Sequence, residues 1–143
     1  MASLINFFSL TAAAGTPDYS SHESYFIIVH ILVPALFLYY GYRFWKTPPA
    51  FLKSDGYNTR RTRFSEAAWL YGQQAFGQFC FFSGVIVGIC CALKYLVLDG
   101  VLPDAVLDGV YFGVEAVAII LAAPVTNLRM ILRFGKDAKA PKK

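Results

Sequence analysis

The stretch Phe76–Leu98, FGQFCFFSGVIVGICCALKYLVL, decides the fold. Its one formal charge is Lys94, and the uncharged run reaches back to Ala67. Roughly 20 consecutive apolar residues make a helix long enough to cross the hydrocarbon of a bilayer. In lipid, a helix also satisfies its own backbone polar groups. Two further windows meet the requirement, about Tyr25–Phe44 and about Val110–Met130. The first is the shorter, and the amphipathic rings of Tyr25, Tyr42 and Trp45 suit its interfacial ends. In the last, the run Gly109–Leu128 carries Glu115 alone. A soluble helical bundle would place charged residues every few positions along an outward face, and these windows do not. The expectation is an all-α integral membrane protein with three transmembrane helices.

Composition agrees. Of the 143 residues 57% are hydrophobic and 15% charged, and mean hydropathy is +0.48. An ordinary soluble domain is about 45–50% apolar and about 25% charged. The length suits a single membrane domain. It divides into an extracytoplasmic segment 1–23, spans at 25–44, 76–98 and 110–130, a loop 45–75, a short loop 99–109 and a basic tail 131–143. An amphipathic, interfacial helix in the first loop is expected to lead into the second span.

Charge gives the direction. Arg43, Lys46, Lys53, Arg60, Arg61 and Arg63 follow the first span. Arg129, Arg133, Lys136, Lys139, Lys142 and Lys143 close the chain. Together they are twelve of the thirteen basic residues, and three crossings put both groups on one side. The positive-inside rule makes that side cytoplasmic and the amino terminus external, in the cell membrane. Asp18, Glu23, Asp99, Asp104 and Asp108 fall on the other side, with Lys94 near the outer end of the second span.

The first residues are weaker in signal. Leu4–Leu10 is apolar but too short to span, and suits the outer interface. Ala12–Gly15 resembles a cleavage site but lacks the basic and long apolar regions of a signal peptide. Gly84 with Gly88, and Gly109 with Gly113, form GxxxG pairs, which allow close helix packing within the chain or between copies. Pro34 and Pro124 are expected to kink their helices.

Ionisable groups at membrane depth are costly and point to function or to a specific partner. Glu115, His30 and Lys94 are the candidates, all toward the outer side. A Glu–His or Glu–Lys pair could bind a proton or ligand. The plainer reading is a hydrogen bond joining helices, or a carboxyl carried neutral. Cys80, Cys90 and Cys91 lie within one helix without CxxC spacing and suit small apolar roles. No metal site, cofactor site or catalytic motif is legible, so a non-enzymatic role is expected. The split basic residues suit lipid phosphates rather than nucleic acid.

The distinctive stretch is the loop. Thr47-Pro48-Pro49 cannot extend the first helix. Then come Gly56-Tyr57-Asn58-Thr59-Arg60-Arg61-Thr62-Arg63-Phe64-Ser65-Glu66-Ala67-Ala68-Trp69. Gly56 suits a turn with positive φ, Thr62 an N-cap ahead of Glu66, and Trp69 an interfacial anchor. Gly72 and Gly77 are places where the following helix could bend. Gln73, Gln74 and Gln78 are expected to face other helices or the loop.

This stretch resembles the signature of the SdpI family of small bacterial membrane proteins: Gly-Tyr-Arg-Thr, a hydroxyl residue, a polar run, Trp, then Gln and Gly. Gly56, Tyr57, Thr59, Arg61, Thr62, Ser65, Trp69 and Gly77 take the motif places. Asn58 stands where the family has Arg, and Leu52, Lys53 and Ser54 where an Asn is usual. The charge is then either lost or moved to Arg60 or Arg61. The resemblance implies a non-enzymatic immunity or signalling protein, with a toxic peptide outside and a regulatory protein in the cytoplasm as partners. The alternative is an accessory subunit of a larger membrane complex, or a homo-oligomer. A small transporter is a third reading, and would require oligomers to enclose a path.

Overall fold

The computed structural model describes residues 19–98 and 103–136. The expectations for Leu4–Leu10, Ala12–Gly15 and Lys139–Lys143 lie outside them. Three long helices account for most of the described chain: α1 (Tyr19–Lys46), α2 (Glu66–Leu93) and α3 (Asp104–Phe134). All three are long and apolar enough to cross a membrane. Each outlasts the apolar window that announced it, because a helix ends where its backbone is interrupted, not where its hydropathy falls. α1 stops at Lys46, where Thr47 donates from both its backbone N (2.8 Å) and its hydroxyl (3.0 Å) to the carbonyl of Arg43. The prolines at 48 and 49 prevent a further turn.

α2 begins well before the apolar window. Its N-cap is Ser65, whose hydroxyl accepts from the Ala68 N–H at 3.1 Å, with Glu66 in the first turn. Thr62 is therefore not the cap; it opens a short 3₁₀ turn, Thr62–Phe64. The extended backbone at Ser65 separates the two pieces. The segment expected to be an interfacial helix is the first turns of α2 itself, which runs through Gly72 and Gly77 without a break. At its far end α2 widens into a π-helical turn, Lys94–Leu98. Helices α1 and α3 also continue through Pro34 and Pro124.

α2 is the central helix. It packs along both neighbours, while α1 and α3 meet at few points. Its buried stripe is Gln73, Gly77, Cys80, Gly84, Val87, Cys91 and Lys94, alternating steps of four and three as in a coiled-coil seam. α3 buries Leu107, Tyr111, Glu115, Ala122, Thr126 and Met130. The closest approach is between α1 and α2. A Cβ at Gly77 would lie 2.4 Å from the backbone N of Trp45, and one at Gly41 would lie 2.4 Å from that of Phe81. Gly84 sits against Phe37 and Leu38, so its half of the GxxxG pair serves packing within the chain. Gly109 and Gly113 face open space. The outward faces are apolar: Ile28, Leu36, Ile86, Leu96, Ile120 and Leu132 are all exposed.

Candidate functional site

Two polar constructions stand at opposite ends of the bundle. At the end where α1 closes and α2 opens, the loop folds back onto α2. Gln73 is fully buried and makes a reciprocal pair with the backbone of Tyr57: its Oε1 accepts from Tyr57 N at 2.7 Å, and its Nε2 donates to Tyr57 O at 2.8 Å. The Thr62 hydroxyl accepts from Thr59 N at 2.9 Å and reaches the carbonyls of Thr59 (3.0 Å) and Tyr57 (3.2 Å). Trp69, 1% exposed, donates from its indole to the carbonyl of Pro49 at 2.8 Å. The Tyr57 ring stacks on Phe76 at 4.7 Å, and its hydroxyl donates to Ala123 O in α3 at 3.1 Å. Burial pushes the Tyr57 phenol above its ordinary range.

Two sequence expectations are corrected here. Trp69 is not an interfacial anchor; it is buried beneath the loop, where its N–H has a backbone partner. Gly56 has no positive φ. A glycine suits the position because a Cβ would come within 3.0 Å of Pro49, Trp69 and Gln73. Gly72 is similarly confined: a Cβ there would lie 2.5 Å from the methyl group of Thr62. Gly77 lies apart from this node, in the α1–α2 crossing.

The basic residues of the motif point the other way. Arg61 donates to the carbonyls of Gly135 (3.3 Å) and Lys136 (2.9 Å), closing off the end of α3. Gly135 terminates that helix with φ +83°, in the left-handed region. Arg63 donates to the side chain of Asn58. Arg133 lies over the Tyr71 ring, and Arg129 donates to Gln78 at 3.4 Å. The two basic segments thus share one end of the bundle.

At the opposite end, all three helices contribute to a buried polar cluster. His30 (0% exposed) lies between two carboxylates: its Nε2 is 3.5 Å from Asp108 Oδ1 and its Nδ1 is 3.5 Å from Glu115 Oε2. Lys94, held inward by the π turn, pairs with the same Asp108 oxygen. The Tyr111 ring meets the imidazole edge-on at 4.3 Å, and its hydroxyl reaches the carbonyls of His30 (3.2 Å) and Val87 (3.0 Å), joining α3 to α1 and α2. Glu115 is 2% exposed, and its Oε1 meets no donor among the described residues.

His30, Lys94 and Glu115 were each legible as costly intramembrane groups, and the structure brings them together. Asp108 and Tyr111 were not recognised as their partners. A signal existed: Asp108, Tyr111 and Glu115 follow at intervals of three and four, one face of a helix. Cys80, Cys90 and Cys91 are free thiols, and no group of three or more His, Cys, Asp or Glu residues is arranged to hold a metal among the described residues. Between the two polar ends, α1, α2 and α3 line an open apolar groove of about 450 Å³, with Leu36, Tyr40, Phe44, Phe76, Cys80 and Ile119 among its walls.

The described residues form three helices long and apolar enough to span a membrane, with a docked basic loop at one end and a buried ionisable cluster at the other. Compared with protein-family models, curated proteins and solved structures, the chain matches none.

Proposed function

We propose that this chain is a non-enzymatic cell-membrane protein of the immunity or signalling kind implied by its resemblance to the SdpI family. It crosses the bilayer three times, with its amino terminus outside and its carboxyl terminus in the cytoplasm. Apolar outward faces on all three helices support insertion, since water-soluble monomers rarely expose large contiguous apolar patches. The observation that carries the functional reading is the loop: the motif residues from Gly56 to Trp69 form one folded unit. Tyr57, Thr62 and Trp69 build it from within. Arg61 and Arg63 lie on its outer side beside the end of α3, a basic platform for a cytoplasmic regulatory partner.

Expression should protect cells against a membrane-active peptide. Arg61→Glu should abolish protection while the protein still inserts and keeps its melting temperature within a few degrees. Full protection by the inserted variant would defeat the assignment of the platform. A second reading, an accessory subunit, draws on Gly109 and Gly113, which leave space for a neighbouring helix. Mild-detergent purification separates the two, since a subunit co-purifies with a defined larger assembly and an immunity protein runs alone or as a homodimer.

A further inference from the structure

We propose that Asp108, His30 and Glu115 form a proton-binding relay, in which one proton shared by His30 and Glu115 exchanges with water through Asp108. The geometry is a line of three groups. Asp108 keeps a quarter of its side chain exposed, His30 is wholly buried, and the Glu115 side chain is 3% exposed. The imidazole faces a different carboxylate with each nitrogen, at 3.5 Å on both sides, the outer limit of hydrogen-bond distance. An imidazole so placed can take a proton at one nitrogen and release one from the other.

Charge balance says how many protons the cluster holds. Lys94 and Asp108 neutralise each other as a pair. His30 and Glu115 are then neutral together when they share one proton, whether as imidazolium and carboxylate or as imidazole and carboxylic acid. Removing that proton leaves a single uncompensated negative charge in the interior, which is expensive.

The transfer balances without a co-reactant. Asp108 accepts a proton from a hydronium ion, which is left as water, and passes it to His30 Nε2. The proton on Nδ1 moves to Glu115 Oε2, and the imidazole is left in its other tautomer. The net change is one proton onto Glu115. Among the described residues, the other titratable groups facing the cluster include Lys94 and Tyr95 on the π turn, Cys90 and Cys91 on α2, and Tyr111 on α3. None of these offers the imidazole a second carboxylate route. Lys94 sets the state of Asp108, and Tyr111 positions the His30 backbone and ring.

The test uses the full chain in lipid nanodiscs, with His22→Asn so that His30 is the sole imidazole. Nitrogen-15 spectra follow the ring over roughly pH 5–8. The His30 N–H should exchange with deuterium oxide far faster than the amides of α1 around it, although the ring is buried. Asp108→Asn, combined with Lys94→Met so that the cluster keeps its net charge, should slow that exchange by on the order of 100-fold. Glu115→Gln should hold the ring in one neutral tautomer across the range, and Glu115→Asp should restore part of the shared-proton signal. A ring N–H protected as long as the adjacent amides overturns the relay in the parent protein, before any substitution is made. Exchange unaltered by Asp108→Asn combined with Lys94→Met overturns the assigned route.

Discussion

Gln73 shows what one side chain does for the loop. Its amide is the only side-chain type whose planar acceptor and donor pair, shared with Asn, can satisfy both backbone groups of Tyr57 at once. Replacing it with Leu fits the volume and removes both bonds, leaving the Tyr57 N–H and C=O without those partners. Gln73→Leu should cost about 1–3 kcal/mol and open residues 47–65 to protease. The Tyr57→Phe change, which loses one exposed bond to Ala123, should cost under about 1 kcal/mol. Thermal unfolding in detergent and limited proteolysis measure both, and equal losses would show that the reciprocal pair does not hold the loop. Gly56 and Trp69 were visible in the sequence as motif positions, yet both roles were misread. The pattern shows that a glycine is needed; only the neighbours show whether it is needed for φ or for space. A tryptophan near a predicted interface reads as an anchor until a carbonyl such as that of Pro49 is found within reach of its indole.

Between helices, the decisive contact is backbone against backbone. At Gly41 and Gly77 an added methyl group meets main chain, which cannot move aside as a flexible side chain could. Gly77→Ala should therefore destabilise the α1–α2 pair by about 1–3 kcal/mol. Gly113→Ala meets open space and should be neutral or stabilise by up to about 1 kcal/mol, through helix propensity alone. Melting curves of the two variants compare these directly, and a larger loss at Gly113 would reveal a partner helix at that face. Both GxxxG pairs were legible, but the glycines in closest contact form no GxxxG. Gly41 stands on one helix and Gly77 on another, so no spacing rule within a segment could pair them. The cap of α2 was placed three residues early, at Thr62, because both hydroxyls precede Glu66 and only the fold shows that Ser65 accepts from Ala68 N.

For the chain as a whole, the bundle is polarised: the basic loop and the end of α3 share one end, and the buried cluster lies at the other. At 28 residues α2 is about 42 Å long, more than the roughly 30 Å of a bilayer's hydrocarbon. With the native thiols replaced by Ser, Lys53→Cys should react with an impermeant reagent only from the cytoplasm, and Asp99→Cys only from outside. The opposite pattern would invert the proposed topology. Three helices of membrane-spanning length, and the gathering of basic residues at one end, could be read from the chain because hydropathy and charge are properties of contiguous stretches. Tertiary structure decided which costly groups meet. His30, Lys94, Asp108 and Glu115 lie on three different helices, and their distances depend on the rotation and depth of each. For α1 and α2 those are set by the close backbone approach at Gly41, Gly77 and Gly84, not by any local pattern. Lys94–Leu98, FGQFCFFSGVIVGICCALKYLVL's last turn, illustrates the division: its apolarity was plain, but its π-helical widening, which turns the one lysine inward to Asp108, belongs to the assembled bundle.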